Sequence, residues 1–121
     1  MSFARQATGK SAEALAAAWL SRQGYRVTER NVRTKVGEID LVAHDGKTIC
    51  FIEVRSRRSA QFGTPEESIT HTKQQHMLRA AQSYLQQHQW RDDVPVRLDV
   101  LTVRFGPGDP QINHLKNVSG G

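Results

Sequence analysis

Cysteine is nearly absent from the sequence, with a single residue at position 50. One cysteine excludes a disulfide framework, and it argues against a zinc site built from several thiolates. Cys50 stands between two apolar residues, so we interpret it as a small buried side chain. A lone thiol of this kind is typical of proteins from a reducing compartment, and we expect a cytoplasmic location.

Long apolar runs are also missing. No stretch approaches the roughly 18 apolar residues of a membrane-spanning helix, and the first ten residues lack the apolar core of a secretory signal. We therefore expect no membrane partner. The sequence has no glycine-rich phosphate loop and no G-x-S-x-G motif, so it indicates neither a P-loop nucleotide site nor a serine hydrolase.

Basic residues outnumber acidic ones by 17 to 12 in the 121 residues, which gives a formal net charge of +5. That balance fits an anionic partner such as nucleic acid, and it fits a basic surface without a partner equally well. The length favours one domain with one modest core. We predict a single domain over residues 1–121, with a core at about 9–105 and a turn, a short edge strand and a loose tail over 106–121.

Apolar periodicity predicts the order helix, three strands, helix, strand, which is typical of an α/β sandwich with a mixed sheet. The predicted helices are Ser11–Gly24 and about Thr72–His88. The predicted strands run from Tyr25, over Ile39–Ala43, Thr48–Val54 and Pro95–Phe105, with a short edge strand after residue 110. A polar loop is predicted over residues 57–68.

The two strands Ile39–Ala43 and Thr48–Val54 form a predicted hairpin. Asp-Gly at positions 45–46 predicts a tight turn, because such turns need positive φ. With these two residues as the loop, Leu41 faces Cys50 and shares an apolar face with Ile39. The opposite face brings three acids together: Glu38, Asp40 and Glu53.

The negative charges of these three acids repel one another and need a positive charge nearby. Two like charges about 6 Å apart repel by about 3 kcal/mol at an effective dielectric near 20. Arg55 and Arg57 share the face of Glu53, and an ion-pair network with them is one solution. A hard divalent cation, Mg²⁺ or Mn²⁺, bound by the carboxylates is the other. Residue chemistry alone leaves both open.

Glu13 lies at the edge of the apolar stripe of the first predicted helix. An acid in the first turn of a helix is favoured by the helix dipole, and that is one interpretation. The other is a third carboxylate aimed at the hairpin site. Spacing alone does not decide between them.

Glu13, "GEIDLVA" with Asp40, and "FIEVR" with Glu53 and Arg55 resemble the PD-(D/E)XK nuclease superfamily, which includes restriction enzymes and archaeal Holliday-junction resolvases. The string "GEIDLVA…FIEVRSRRS…FGTPEESI…K…AAQSYL…RLDVLTV" is more closely similar to the YraN family of small, largely uncharacterised bacterial proteins, from about Gly9 to Val103. The resemblance implies a restriction-endonuclease-like αβββαβ core, with a mixed central sheet flanked by helices.

The resemblance also implies a site. Asp40, Glu53, the backbone carbonyl of Val54, and Glu13 would hold Mg²⁺ or Mn²⁺, and a water activated there would attack a phosphodiester in line. Arg55 stands where the superfamily has a lysine. Arginine stays protonated, so it can orient water or stabilise charge on the phosphate but cannot act as a general base.

Basic residues around the hairpin would line a phosphate path, although each one alone also fits a solvated surface charge. They are Arg30, Arg33, Lys35, Arg57, Arg58 and Lys73. Lys73 matches a site-facing polar or basic residue of superfamily members. Its neighbours Thr72 and Gln75 fit a capping box. Asp99 alternates with Arg97 in "VRLDVL", and we expect it to face solvent or an arginine of a neighbouring strand.

The leading hypothesis is a metal-dependent nuclease or nuclease-like protein that hydrolyses DNA phosphodiesters, including branched or recombination intermediates, with DNA favoured over RNA as the partner. Resolvase-like folds imply a homodimer. The alternative is a catalytically weak or inactive nuclease fold that serves as a nucleic-acid-binding or protein-interaction module. A structural ion-pair network without a ligand is the third interpretation.

Overall fold

The computed structural model describes residues 2–58, 70–89 and 93–118, with side chains from residue 12 onward. Within these ranges the chain forms two helices and five strands. They are α1 (Ser2–Arg22), β1 (Arg26–Thr34), β2 (Gly37–Asp45), β3 (Thr48–Arg58), α2 (His71–Gln87), β4 (Val96–Phe105) and β5 (Gln111–Leu115). From residue 59 onward, the predicted polar loop lies outside the described residues, as does the predicted tail from residue 119.

The strands form one mixed sheet in the order β1-β2-β3-β4-β5. The first three strands are antiparallel, β4 runs parallel to β3, and β5 returns antiparallel along the edge of β4. Parallel neighbours need a long crossover, and α2 lies in the connection between β3 and β4. The predicted α/β fold with a mixed sheet and flanking helices is confirmed, and it is consistent with a restriction-endonuclease-like core.

Both faces of the sheet are buried, because α1 covers one and α2 covers the other. Residues 49–52 of β3 are all at most 2% exposed, as expected for a strand packed on both sides. Cys50 and Ile52 join the cluster beneath α1, whereas Phe51 joins the cluster beneath α2 with Tyr84. The two clusters are called the α1 core and the α2 core below.

The first helix begins earlier than the sequence predicts. It starts at Ser2 rather than Ser11, so Glu13 lies well inside the helix and not in its first turn. The interpretation of Glu13 as a helix-dipole acid is therefore wrong. The predicted end is correct, since Gly24 follows the helix with φ of +94°.

The hairpin between β2 and β3 uses a different loop from the predicted one. Asp45 pairs with Thr48, and the loop consists of Gly46 and Lys47. Gly46 has φ of +60° while Lys47 keeps a negative φ, which is the turn with glycine at its first central position. The pairs further along are Ala43–Cys50, Val42–Phe51 and Leu41–Ile52. The register is shifted by two residues, which leaves nearly every side chain on its predicted face.

The remaining elements follow the predictions closely. The second helix begins at His71, and its cap is Thr70, whose hydroxyl accepts from the backbone N–H of Lys73. The predicted capping box of Thr72 and Gln75 is therefore wrong, because both residues lie within the helix. Strand β5 forms the predicted edge strand. In the described ranges, neither helix is long and apolar enough to cross a membrane.

Asp99 differs from its prediction in two respects. Its side chain is fully buried rather than facing solvent. Its arginine partner is Arg97 of the same strand rather than an arginine of a neighbouring strand, and Arg97 donates to both carboxylate oxygens at 2.9–3.1 Å. His114 on β5 and the backbone N–H of Asn117 complete the set, at 2.7 and 2.9 Å. The strand that returns along β4 thus converts an expected surface acid into a buried one.

Candidate functional site

The pairing between β2 and β3 stops before the strands end. The last pair is Leu41 with Ile52, and one further step would set Asp40 opposite Glu53. Instead, the backbone N–H of Val54 donates to Oδ2 of Asp40 at 2.8 Å. The N–H and C=O of a strand residue point to the same side, so the Val54 carbonyl also faces β2 here. The opening therefore presents carboxylate and carbonyl oxygens.

A cavity of about 530 Å³ lies between this opening and α2. Strands β2 and β3 supply an acidic group and one arginine, and α2 supplies basic side chains. The charged and titratable lining residues are Glu38, Asp40, Glu53, Arg55, Lys73, His76 and Arg79. Four residues predicted from separate parts of the chain thus meet at one cavity: Asp40, Glu53, Arg55 and Lys73.

Asp40 is the electrostatically unusual member of the group. Burial is the largest influence on its pKa and raises it, whereas the Val54 N–H acts in the opposite direction. The negative charges of Glu13, Glu53 and Glu38 raise it further, and the pKa reaches about 6. Glu13 does not line the cavity, but its charge is felt at Asp40. A bound cation would offset both the burial and the repulsion.

Among the described residues, only one of the two carboxylate oxygens of Glu53 has a hydrogen-bond partner. Its Oε1 accepts from Nη2 of Arg55 at 3.1 Å, which is the ion pair expected from the sequence. Arg57 does not join it in the described part of the chain and donates to the backbone carbonyl of Ser56. The other oxygen of Glu53, Oε2, is buried without a hydrogen-bond partner, as is Nε of Arg55. A buried acceptor left unpaired costs about 1–3 kcal/mol.

The oxygen atoms at the opening fit a hard divalent cation. Mg²⁺ is usually held by one or two carboxylates and keeps several waters, so Asp40 and Glu53 would suffice. Among the described residues, no group of three or more histidine, cysteine or acidic side chains is close enough to form a ready-made metal cluster. Glu13 therefore acts on Asp40 through its charge in this arrangement, and its predicted role as a direct ligand stays a prediction.

The other predicted basic residues lie around the cavity rather than in it. Arg30, Arg33 and Lys35 are exposed on β1 and on the β1–β2 turn, and the next residues of that turn line the cavity. Arg33 pairs with Glu38 at 3.4 Å, with both side chains largely exposed. Arg57 and Arg58 lie at the end of β3 and do not line the cavity either.

Two lining residues were missed from the sequence, His76 and Arg79. They follow Lys73 at intervals of three along α2, and residues at that spacing share one face of a helix. The spacing of three residues is visible in the sequence, but it indicates the cavity only once α2 is known to pack beside the β2–β3 opening. The three basic and titratable side chains of α2 face the acids of the sheet across the cavity.

Comparison with known proteins gives consistent matches along most of the chain. The Uncharacterised protein family UPF0102 matches residues 12–103. A UPF0102 protein of Anaeromyxobacter dehalogenans is 44% identical over 111 residues, which cover 92% of this chain and 82% of that protein. A UPF0102 protein of Dehalococcoides mccartyi is 38% identical over 120 residues, covering 99% and 98%. One from Nocardia farcinica is 43% identical over 94% and 90%.

Proposed function

The chain belongs to the UPF0102 family, which is the YraN family indicated by the sequence, and we propose that it is a metal-dependent nuclease that hydrolyses DNA phosphodiesters. The observation that supports this most directly is the convergence of two acids, an arginine and a lysine on one cavity. Asp40 and Glu53 come from adjacent strands, and Lys73 comes from α2 on the facing side. This arrangement offers oxygen ligands to a cation and positive charges to a phosphate.

Asp40, Glu53 and the Val54 carbonyl would hold Mg²⁺ or Mn²⁺ in this proposal. As a Lewis acid, the cation would activate water and would offset charge on the phosphate. Asp40 is kept in place by the Val54 N–H, and Glu53 by Arg55. Both carboxylates are thus oriented before a cation arrives, which lowers the ordering cost of binding.

Arg55 and Lys73 would bind the phosphate. The Arg55 side chain is 11% exposed and is anchored through Nη2, so its guanidinium is held rigidly at the cavity. A pre-oriented guanidinium stabilises negative charge that develops on phosphate oxygens. Arg55 remains protonated, so the proton of the attacking water must pass to another acceptor.

The exposed cations Arg30, Arg33 and Lys35 would bind the phosphate backbone of the DNA beyond the cleaved bond. They lie on the edge strand and turn that lead to the cavity rim. Contacts of this type carry no sequence information, so the affinity would depend strongly on salt and little on sequence. A homodimer would present two such sites, as cleavage of a branched substrate requires.

The test is cleavage of end-labelled single-stranded, duplex and four-way-junction DNA in Mn²⁺, Mg²⁺ or EDTA. We expect cutting that requires the metal and that Asp40→Asn and Glu53→Gln each reduce by about 100-fold or more. The comparison of substrates identifies the preferred DNA structure. Analytical ultracentrifugation with the preferred substrate measures the number of protomers bound.

Glu38→Gln provides the matched control, because Glu38 lines the same cavity and pairs with exposed Arg33 rather than with the ligands. We expect its activity to stay within about threefold of the wild type, since an exposed ion pair contributes little. Equal loss in all three variants would contradict the assignment of Asp40 and Glu53 as ligands. Absence of cutting under every metal condition would contradict the nuclease proposal.

A second candidate is a nuclease fold that binds nucleic acid without cutting it. The observation that favours it is the Glu53–Arg55 pair, which ties one proposed ligand to a residue that cannot serve as a general base. This candidate predicts DNA binding that survives Asp40→Asn and EDTA. It also predicts that Arg33→Gln and Lys35→Gln weaken binding and reduce its salt dependence.

A further inference from the structure

Asn31, in the middle of β1, has an unusual backbone conformation for a strand residue. Its φ is +53°, in the left-handed region that residues with a Cβ seldom adopt. Its neighbours remain in the ladder, since Arg30 pairs with Leu41 and Val32 pairs with Ile39. In this register Asn31 stands opposite Asp40. The only non-glycine residue with a positive φ among the described residues of the sheet's strands therefore lies beside a proposed metal ligand.

The side chains on either side of Asp40 do not follow strand alternation. Residues two apart in a regular strand share a face. Leu41 joins the α1 core, but Ile39 joins the α2 core. The sequence predicts both on one face, and that prediction is wrong for Ile39. Val32, which pairs with Ile39, also packs against the α2 core.

The reversal of faces explains where the Asp40 carboxylate points. Between Leu41 and Ile39 the strand has rotated about its axis, and Asp40 lies at the rotation. Its carboxylate accepts from the Val54 N–H, a ladder donor that points across the sheet from β3 to β2. A side chain of a regular strand stands roughly perpendicular to the sheet and does not replace a neighbouring backbone carbonyl in this way.

We propose that Asn31 is a positioning residue, whose left-handed backbone rotates β1 and β2 and so directs the Asp40 carboxylate toward Val54 and the cavity. The Asn31 side chain is exposed, so its backbone conformation carries the effect. Asparagine suits the position because it tolerates this conformation better than other residues except glycine. The link to catalysis rests on the proposed function, whereas the link to the Asp40–Val54 hydrogen bond does not.

The test compares Asn31→Gly, which permits positive φ, with Asn31→Ala, which disfavours it. The first readout is hydrogen exchange of the Val54 amide in ¹⁵N-labelled protein in EDTA, relative to the amides of the Leu41–Asp45 ladder. We expect exchange about tenfold faster in Asn31→Ala, and within about threefold of the wild type in Asn31→Gly. The second readout is the Mn²⁺ affinity measured by calorimetry. We expect this affinity to fall in Asn31→Ala and to stay near the wild-type value in Asn31→Gly.

Asn117→Ala is the matched control for a general loss of stability. Asn117 also has a positive φ, of +56°, but lies after β5, away from the cavity. Its substitution carries a similar backbone penalty, and we expect a lower melting temperature with the Val54 exchange ratio and the Mn²⁺ affinity unchanged.

Unchanged Val54 exchange in Asn31→Ala would overturn the proposal, whether or not the protein cuts DNA. A tenfold effect in Asn31→Gly would overturn it as well, because the side chain and not the backbone would then be responsible. This second outcome keeps the test decisive if Asn31→Ala fails to fold. The expected Val54 exchange in a protein that neither binds Mn²⁺ nor cuts DNA would leave the positioning role standing and reject the proposed function.

Discussion

Asp40 and Asp99 are acids in strands of the same sheet, and their surroundings are opposite. Asp99 receives hydrogen bonds from Arg97, His114 and the Asn117 backbone. Within the described part of the chain, Asp40 receives one hydrogen bond, from the Val54 backbone, and pairs with no cationic side chain. Burial raises the pKa of both groups. At Asp99 the donors outweigh burial and the pKa lies below its ordinary value, whereas at Asp40 it rises to about 6.

Asp99 therefore stabilises the fold, whereas the ionised carboxylate of Asp40 lowers the stability of the fold. Asp99 fastens β5 and the following turn to β4, because its partners come from both. Asp40 lies beside other acids at the edge of an open cavity, and its burial and their charges disfavour its ionised form. Removing each carboxylate should therefore change stability in opposite directions.

The largest expected effect is loss of stability in Asp99→Asn. The substitution leaves Arg97 and His114 beside a neutral amide in a buried setting. Removing one partner of a buried ion pair costs about 3–5 kcal/mol. Urea unfolding monitored by tryptophan fluorescence measures the change. The control is Asp109→Asn in the exposed turn after β4, which should stay within about 0.5 kcal/mol of the wild type.

A change in Asp99→Asn no larger than in Asp109→Asn would mean that Asp99 does not fasten β5. In that case, Asp99 and Asp40 would differ only in how deeply each carboxylate is buried.

The second expected effect is stabilisation by a divalent cation, which the proposed function places at Asp40 and not at Asp99. A ligand present at 100 times its dissociation constant stabilises the native state by about 2.7 kcal/mol. We expect Mn²⁺ to raise the melting temperature of the wild type and of Asp99→Asn, but not of Asp40→Asn. Calcium as a second cation tests for a nonspecific charge effect. Equal shifts in all three proteins would place the cation elsewhere.

The sequence was sufficient for the sheet faces of the hairpin, except that of Ile39, even though the hairpin register was wrong. The shift from Leu41–Cys50 to Leu41–Ile52 is two residues, and a shift by an even number preserves the face of each side chain. Asp40 and Glu53 were therefore correctly grouped despite the wrong pairing. Gly46 correctly indicated a tight turn. Which two residues form the loop depends on whether glycine takes the first or the second central position of the turn.

What the sequence did not reveal depends on contacts between distant residues. The burial of Asp99 requires His114, fifteen residues later, to return beside it on β5. The change of face at Ile39 occurs beside Asn31 of the neighbouring strand, to whose positive φ we attribute it. Periodicity describes one strand at a time, so neither effect is visible in it. The start of α1 was missed for a local reason, because Ser11, two residues after Gly9, imitates a helix start.

A third prediction is that Asp40→Asn stabilises the protein in EDTA. The pKa of Asp40 is above its ordinary value of 3.8 in the folded state, so the folded protein binds more protons between about pH 4 and 6. Stability from this group therefore falls as the pH rises through that window. Asparagine can still accept from the Val54 N–H and carries no charge. We expect a gain of about 1 kcal/mol at pH 8, reduced from the full shift by partial exposure.

The gain should vanish near pH 4, where Asp40 is protonated in the folded wild type. Urea unfolding at both pH values measures it. Asp99 acts with the opposite sign, since its contribution is present above the unfolded pKa and is lost as the pH falls through its lower folded pKa. A loss of stability in Asp40→Asn at pH 8 would mean that Asp40 supports the fold as Asp99 does.

The smallest expected effect concerns the source of the charge felt at Asp40. Glu13 influences its pKa more than Glu53 or Glu38 does, although Glu13 lies on α1 and does not line the cavity. Glu13→Gln should therefore lower the pKa of Asp40, and Glu38→Gln should lower it less. Carbon-detected NMR titration of the Asp40 carboxyl group in EDTA measures both changes, with Asp99 as an internal reference that neither substitution moves. A larger effect from Glu38→Gln would separate Glu13 from the acidic group, and the resemblance to the helix carboxylate of resolvase-like nucleases would then lose its physical basis in this chain.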